Sequence, residues 1–331
     1  MRGNLSTRIA VAACGVLLIA GSTLGQDKPK TESPSLAISK AFKLSGYTQF
    51  QYVDWKMGAD SFSVRRSRLV LGGDIMKNMR YKLQVEVAKS FALLDATMEY
   101  QFSKQAQIRI GQFQVPFSLE NLTSTAELDV INRSQAEEKL VPGRDISAQG
   151  RDIGAAFFGT HSVLEYTVGV FNGSGINKAD VDSHKDVGGR VVVRPFKSLS
   201  VGGSFYIGKQ TLTVDSPLVK RDRFGLDMAL LIDRVSVRAE YIAAKDDIVS
   251  KNGWYLQGGY FVLPKKVQAV LKYDVLDVNT SLAGDRVGRY TAGVNWVLSG
   301  RTKLQLNYEN YRRQSGEANN HAVLAQLQVA Y

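Results

Sequence analysis

Apolar and polar residues alternate with a period of two from Phe42 to the C-terminus, and this pattern constrains the fold more than any other feature. Tyr290 and Val294, for example, share one face of their segment, and Thr291 and Asn295 share the other. Successive side chains of a β-strand point to opposite faces, whereas a helix repeats every 3.6 residues. The alternation therefore predicts an all-β chain.

The alternating segments are about ten residues long and are separated by turn residues, as in strands that cross a membrane. Short joints, such as the one at Asp233, alternate with longer ones. An even number of antiparallel strands joined in this way predicts a transmembrane β-barrel of a bacterial outer membrane. About sixteen segments are candidate strands: 42–54, 61–76, 79–90, 92–102, 105–113, 151–159, 163–172, 187–196, 199–208, 221–232, 234–245, 252–263, 266–277, 286–298, 301–313 and 320–331.

Hydropathy excludes a helical membrane protein. The 331-residue chain has a mean hydropathy of −0.14. No segment after residue 25 approaches the roughly 20 apolar residues that a spanning helix needs. A barrel keeps a low mean hydropathy because half of its strand residues face water.

The N-terminus has the features of a secretory signal. Arg2 and Arg8 precede an apolar run from Ile9 to Ala20, and small residues lead to Gly25. We predict a signal peptide over residues 1–25, since so short an apolar run cannot span a membrane. Lipidation at Cys14 is the alternative, but the apolar run continues well past that residue. Residues 26–41 are predicted to be a short periplasmic tail, and residues 42–331 one barrel domain.

Removal of the signal would leave a basic chain without cysteine. Cys14 is the only cysteine, so the mature chain could form neither a disulfide nor a thiolate zinc site. The formal charge is +11, of which the signal carries the two arginines, leaving +9. A basic protein outside the cytoplasm suggests anionic solutes or an anionic lipid surface, and we expect no nucleic-acid partner.

The C-terminus also fits an outer-membrane barrel. The chain ends on Tyr331, with Leu327 and Val329 at the preceding alternate positions. This ending is similar to the outer-membrane assembly signal. Aromatic residues also cluster near predicted strand ends, where their rings favour the headgroup level of a membrane.

Arginines dominate the predicted inner faces. If Leu69 and Leu71 face lipid, Arg66 and Arg68 point into the lumen, since a charge on the lipid face is costly. Acidic residues share the interior, so the arginines form either a structural ion-pair network or a track for anions. The same parity places these further residues inside: Arg109, Arg190, Arg194, Arg223, Arg234, Arg238, Arg289, Glu86, Asp95, Glu99, Asp152, Glu165, Asp227 and Glu240.

The longest joint, from about Gln114 to Gly150, is the predicted constriction. A joint of this length between barrel strands is usually functional. It carries Arg133, Lys139 and Arg144, but its acidic residues outnumber them.

Three segments together resemble the phosphate-selective porin O and P family. They are the arginine-pair strand at 64–69, the start of the long joint at 111–120 and the opening of the next strand at 150–154. The resemblance implies a sixteen-stranded trimeric outer-membrane channel that passes anions, with the long joint as its constriction. Family members often carry lysine where this chain has Gln114. The resemblance therefore implies the fold, whereas phosphate selectivity has to be tested separately.

No enzyme motif is present. The histidines, His161, His184 and His321, are scattered, and the chain has neither a nucleophile elbow nor a zinc-protease motif. We therefore expect no catalytic site, no metal and no cofactor. The expected function is passive diffusion of small anions, phosphate or similar oxyanions, through an arginine-lined pore of a homotrimer in outer-membrane lipid. The alternatives are a general non-selective porin, a barrel enzyme and a structural barrel with a plugged lumen.

Overall fold

The structure is a computed structural model that describes residues 36–39, 42–180, 182, 184–211, 218–315 and 320–331. The predicted signal peptide, with Cys14, lies outside the described residues. Of the predicted tail, only residues 36–39 are described, as a short strand paired with the start of the next one.

Strands make up most of the described chain, and the helices are short. The helices are α1 (Leu119–Leu122) and α2 (Gln135–Leu140), with one 3₁₀ turn at Thr125–Glu127. The strands are β1 (Leu36–Ser39), β2 (Phe42–Trp55), β3 (Ser61–Met76), β4 (Met79–Glu86), β5 (Ala92–Gln101), β6 (Gln107–Gln114), β7 (Arg151–His161), β8 (Leu164–Phe171), β9 (Asp186–Phe196), β10 (Leu199–Ile207), β11 (Lys209–Thr211), β12 (Leu218–Ile232), β13 (Val235–Asp246), β14 (Val249–Leu263), β15 (Val267–Asp277), β16 (Val287–Ser299), β17 (Thr302–Arg313) and β18 (Asn320–Ala330).

Sixteen of these strands, β2–β10 and β12–β18, form one closed antiparallel barrel. The barrel closes where β18 pairs with β2, with Gln328 opposite Gln49. The main chains of Tyr331 and Gly46 extend this seam by exchanging hydrogen bonds of 2.7 and 3.1 Å. The predicted barrel and its sixteen strands are confirmed, with most strand ends within two residues of the prediction.

Burial is inverted relative to a soluble protein, because the polar side chains are inside. Leu271 is 67% exposed on the outer surface, whereas the next residue, Lys272, is only 3% exposed. Tyr290 and Arg289 repeat this arrangement on the neighbouring strand. An apolar outer band around a polar interior is the pattern of a barrel whose outside meets lipid. Among the described residues, no helix is long and apolar enough to cross a membrane.

The two ends of the barrel differ in the length of their connections. The seven connections at one end, the short-turn end, are residues 77–78, 102–106, 162–163, 197–198, 233–234, 264–266 and 300–301. The opposite end carries most of the longer connections, including the one from β6 to β7. Because β2 begins and β18 ends at the short-turn end, both ends of the barrel segment lie there.

Candidate functional site

The connection between β6 and β7, residues 115–150, lies inside the barrel and is called the lumen loop here. Its main chain and side chains bond to strands on the far side of the wall. The amide of Ile131 donates to Asn307 Oδ1 at 2.6 Å, and Gln257 Nε2 donates to Asp129 Oδ2 at 3.0 Å. Most residues of the lumen loop are buried as a result. The loop therefore narrows the space enclosed by the strands.

Glu120, on α1, is an acidic residue of the lumen loop with several hydrogen bonds. Its carboxylate accepts hydrogen bonds from Lys272 Nζ at 2.6 Å, Ser134 N at 2.8 Å and Ser134 Oγ at 2.7 Å. Burial opposes ionisation of Glu120, but the charges of Lys272 and Arg133 and these hydrogen bonds outweigh it and lower the pKa to about 2. Glu120 is therefore a fixed negative charge that joins the loop to β15.

A second attachment lies near the C-terminal end of the loop. Asp145 accepts from Arg221 Nε at 2.8 Å and from Arg223 Nη2 at 2.9 Å, both on β12. Arg223 also donates from Nε to the carbonyl oxygen of Leu140 at 2.9 Å. Because α1 is bonded to β15 and the end of the loop to β12, the loop is held from two directions.

A cavity of about 190 Å³ lies between the lumen loop and strands β3, β4, β6 and β7. Five of its lining side chains are cationic, and no carboxylate of the described residues is among them. We call this space the basic cavity. Its lining consists of Arg68, Lys82, Gln84, Gln114, Leu122, Thr123, Ser124, Thr125, Arg133, Arg144 and Arg151.

Carboxylates stand behind some of these cations, away from the cavity lining. Arg68 Nε lies 3.0 Å from Glu86, and Asp95 is shared by Lys82 Nζ at 2.6 Å and Arg151 Nε at 2.7 Å. These acids hold the cations in place by charge-assisted hydrogen bonds. The side chains that line the cavity remain positive and have further N–H groups to offer.

The same arrangement occurs within the lumen loop. The buried Glu137 contacts Arg144 and lies 3.4 Å from Arg133. Arg133 also donates to the carbonyl oxygen of Thr123 at 2.8 Å, which fixes its guanidinium against the loop main chain. Both loop arginines are thus positioned before any solute arrives.

Arg65 and Arg66 extend the positive surface along β3. A β-bulge at Arg65 interrupts the register between Gln49 and Phe50. Arg65 therefore donates to Asn132 of the lumen loop at 2.6 Å, although simple alternation would turn it outward. Arg66 donates to Gln49 at 3.2 Å, and neither arginine has a carboxylate within 4 Å in the described part of the chain.

The predicted arginines outside this cluster lie along the wall or at its ends. Arg109 Nε lies 2.6 Å from Glu99, and Arg238 Nη1 lies 3.6 Å from Asp129 of the lumen loop. Arg190 is paired with Asp227 and is buried. These pairs have the form of the structural network that was one of the two interpretations of the sequence.

Two further predicted arginines lie near the short-turn end. Arg194 is exposed near the end of β9 and pairs with Glu165 at 2.5 Å. Arg234 lies in the turn between β12 and β13, so parity along a strand does not apply to it, and its nearest carboxylate is Asp233 at 3.9 Å. The structure thus places Arg234 at the end of the barrel and not on the lumen wall.

The predicted constriction residues divide into two settings. Arg133 and Arg144 line the basic cavity. Gln114 also lines it and donates to the carbonyl oxygen of Asn121 at 2.5 Å. Lys139 is exposed on α2 and is not part of the lining.

Sequence reasoning missed three cations of the site. Lys82 stands on the polar face of β4, so its parity could have identified it. Arg65 and Arg151 could not be found in this way, because Arg65 is itself the bulged residue and Arg151 is the first residue of its strand. Alternation fixes side-chain direction only where the pleat is regular.

Comparison with known proteins agrees with this architecture. The sequence model of the family described as phosphate-selective porin O and P matches residues 44–221 and 210–331. A comparison with curated protein sequences finds no significant match.

Several solved outer-membrane structures are similar in fold. An anion-selective porin from Comamonas acidovorans shares 16% identity at a TM-score of 0.71, over 88% of this chain and 99% of that one. OmpT of Vibrio cholerae shares 12% identity at a TM-score of 0.66, over 88% and 99%. The channel DcaP of Acinetobacter baumannii shares 12% identity at a TM-score of 0.60, over 92% and 100%.

These likenesses establish the fold, and the family match covers nearly the whole barrel. The closed barrel, its apolar outer band and its polar lumen all agree with that match. The chain therefore belongs to the phosphate-selective porin O and P family, and it is a porin of the bacterial outer membrane.

Proposed function

We propose that this porin prefers small anions, phosphate and similar oxyanions among them, and that they pass through the basic cavity. The observation that carries the proposal is a lining with five cationic side chains and no carboxylate of the described residues. Low-dielectric walls concentrate the field of such a cluster and raise the local concentration of anions. Cations are repelled by the same field.

Arg66, Arg68, Arg133 and Arg144 are the residues proposed to meet the anion, together with Lys82 and Arg151. Guanidinium groups suit phosphate and carboxylate because they offer paired N–H donors in a fixed plane. Arg109, Arg190, Arg194, Arg234 and Arg238 are proposed to add to the positive field from the wall and its ends. Lys139 is proposed to act in the same way from the surface of the loop.

The comparisons support this proposal in two respects. The Comamonas acidovorans porin is described as anion-selective, and the matching family as phosphate-selective. One of the similar Vibrio cholerae OmpT structures is described as a trimer form, and we propose a homotrimer for this chain as well. Native mass spectrometry of the detergent-solubilised porin should then show three copies, and a monomer alone would contradict that proposal.

The test of anion preference is the reversal potential of the purified porin in a planar bilayer under a potassium chloride gradient. We expect a sign that reports greater permeability to chloride than to potassium. A reversal potential near zero in open channels would favour the alternative, a general non-selective porin. Channels that insert and never open would overturn both and would favour a plugged structural barrel.

Phosphate requires its own measurement, because Gln114 stands where relatives often carry lysine. We expect phosphate to block the chloride current from millimolar concentrations, since several guanidinium groups face one small cavity. A preference for chloride without phosphate block would support an anion-preferring porin and would contradict phosphate as one of its solutes. The reversal potential and the phosphate block therefore test anion preference and phosphate binding separately.

Replacing Gln114 by lysine is expected to strengthen phosphate block. The new ammonium would join the cationic lining, and a unit charge about 5 Å from a bound anion is worth about 0.8 kcal/mol in water. That free energy corresponds to roughly a fourfold lower blocking concentration. Gln112→Lys is the control, because Gln112 bonds to Leu93 and Leu94 and is not part of the lining. An equal gain in both variants would contradict a local effect.

A further inference from the structure

The short-turn end of the barrel carries an excess of positive charge that the pore does not explain. Six of its seven connections contain lysine or arginine, and Asp233 is the one acidic residue in them. The cationic residues of these connections are Lys77, Lys104, Lys197, Arg234, Lys265, Lys266 and Arg301.

Five of these residues, all lysines, are exposed and have no carboxylate within 4 Å in the described part of the chain. We call them the short-turn rim. They are Lys77, Lys104, Lys197, Lys265 and Lys266. Internal ion pairs therefore do not account for these lysines, in contrast to most of the arginines inside the barrel.

The opposite end does not share this bias. Its connections contain acidic residues, such as Asp60, Asp180 and Asp247, alongside basic ones, such as Lys56 and Lys89. The positive charge of the short-turn end is therefore a local feature and not a consequence of the basic composition of the chain.

Exposed apolar side chains lie directly beside the rim lysines. Met76 precedes Lys77, Phe196 precedes Lys197, and Leu263 lies two residues before Lys265. All three apolar side chains are more than half exposed. A lysine whose stem lies on apolar surface places its ammonium at the headgroup level of a bilayer. A soluble anion would need the lysines but not this apolar border.

The spacing of the rim lysines suits several ligands arranged around the barrel. Neighbouring strands lie about 4.8 Å apart, so successive connections are separated by about 10 Å along the wall. Lys77 and Lys104 lie on successive connections, and the other connections that carry rim lysines are about 20 Å or more apart, because residues 162–163, 233–234 and 300–301 include no lysine. Lysines distributed around the barrel in this way fit several separate headgroups better than one compact ligand.

We propose that the short-turn rim binds anionic phospholipid headgroups, such as phosphatidylglycerol, in the membrane leaflet at that end of the barrel. The lysine ammonium groups contact the lipid phosphates, and the adjacent apolar side chains contact the upper part of the acyl chains. Juxtamembrane lysines are attracted to anionic lipid surfaces in this way. The proposal concerns the outside of the barrel and does not depend on what passes through it.

The test compares two spin-labelled lipids, phosphatidylglycerol and phosphatidylcholine, around the complete porin in phosphatidylcholine vesicles. The fraction of each label that is immobilised at the protein gives the relative affinity. We expect a preference of about threefold for phosphatidylglycerol at low salt, which falls as salt is raised. Equal affinities for the two labels around the wild-type porin would overturn the proposal without any variant.

A charge-matched pair of variants locates the binding surface. The rim variant replaces Lys77, Lys104, Lys197, Lys265 and Lys266 by glutamine. The control variant replaces five exposed lysines at the other end by glutamine: Lys56, Lys89, Lys178, Lys220 and Lys245. We expect the lipid preference to fall to about one in the rim variant and to persist in the control.

Two other outcomes would also overturn the proposal. An equal loss in both variants would assign the preference to net charge. A changed chloride-to-potassium selectivity in the rim variant, with an unchanged lipid preference, would assign the lysines to solute entry. Because the reversal potential is recorded on the same variants, failure of the lipid proposal and failure of the anion proposal are distinguishable.

Discussion

Replacing Glu120 by alanine is expected to release the lumen loop from the barrel wall and to raise the single-channel conductance. The change removes the acceptor of Lys272 Nζ at 2.6 Å and of two donors on Ser134. Loss of one partner of a buried ion pair costs about 3–5 kcal/mol. That cost corresponds to an increase of roughly a hundredfold or more in the fraction of undocked loops.

Single-channel recording in planar bilayers checks this expectation, since an undocked loop adds a second, higher conductance level. Glu138→Ala is the control, because Glu138 is an exposed acid of the same loop whose carboxylate lies 3.4 Å from Arg144. It should leave the conductance unchanged. If folded Glu120→Ala channels conduct like the wild type, the ion pair with Lys272 does not hold the loop.

A double variant tests the pairing itself. Glu120→Gln combined with Lys272→Met removes both charges and leaves no unpaired ion inside the barrel. We expect this variant to change the conductance less than Glu120→Ala alone, because most of the free-energy cost arises from leaving the charge of Lys272 unpaired. A sum of the two single effects would show that the residues act independently.

The same ion pair predicts how the pore responds to acid. The pKa of Glu120 is lowered to about 2 from an ordinary value of 4.5, so Glu120 is ionised at neutral pH. A lowered carboxyl pKa contributes stability that is present above the ordinary value and is lost as the pH falls through the lowered one. The difference in conductance between the wild type and Glu120→Ala isolates this ion pair from Glu137, whose pKa burial raises to about 7. That difference should therefore stay constant between about pH 8 and pH 5 and should shrink only as the pH approaches about 2.

The second large effect is expected on selectivity, when Arg66 and Arg68 are both replaced by glutamine. A unit charge about 7 Å from a permeating ion in water changes its energy by about 0.6 kcal/mol, close to the thermal energy. Two such charges change the local concentration of anions by roughly sevenfold, and that of cations in the opposite direction. The chloride preference should fall strongly, most clearly at low salt, where screening is weak.

Neither replacement leaves a buried carboxylate without hydrogen bonds. Arg66 has no carboxylate within 4 Å among the described residues. Glu86, the partner of Arg68, keeps hydrogen bonds from the amides of Ser67 at 2.7 Å and Ala88 at 3.1 Å. The barrel should therefore fold normally, and the loss of preference can be assigned to the charges.

Arg194→Gln is the matched control, since Arg194 is exposed near the short-turn end and is paired with Glu165. Its reversal potential should shift much less than that of the double variant, since Arg194 contributes to the field only from the end of the barrel. An unchanged reversal potential and unchanged phosphate block in the double variant would refute the role of Arg66 and Arg68. A shift in Arg194→Gln of the same size would show that selectivity reports total charge and not the basic cavity.

The strands could be predicted from sequence because their signal is local. Each strand shows the period of two within its own sequence. A strand turned to the wrong face would place polar side chains in lipid, which is costly. The sixteen predicted strands therefore reappear in the structure, from β2 (Phe42–Trp55) to β18 (Asn320–Ala330). The position of the long joint followed from the same pattern, since alternation stops after Gln114 and resumes at Arg151.

The basic cavity could be predicted only in part, because it depends on contacts between distant residues. Parity identified Arg68 as a lumen residue, but nothing local places it beside Arg133, which comes from the lumen loop. The bulge that turns Arg65 inward is likewise set by pairing with β2. The partner of Lys272 lies 152 residues away in the chain, so this attachment leaves no pattern in either segment.

The seam between β18 and β2 has a consequence for assembly. The side chains of Gln49 and Gln328 meet there across 279 residues of chain. Each intermediate strand pairs with its neighbours in sequence, but residues 47–55 of β2 keep one unpaired edge until β18 is in place. Unpaired edges recruit other strands, and pairing between distant segments is slow. The open sheet therefore remains prone to aggregation until the final eleven-residue strand has paired with β2.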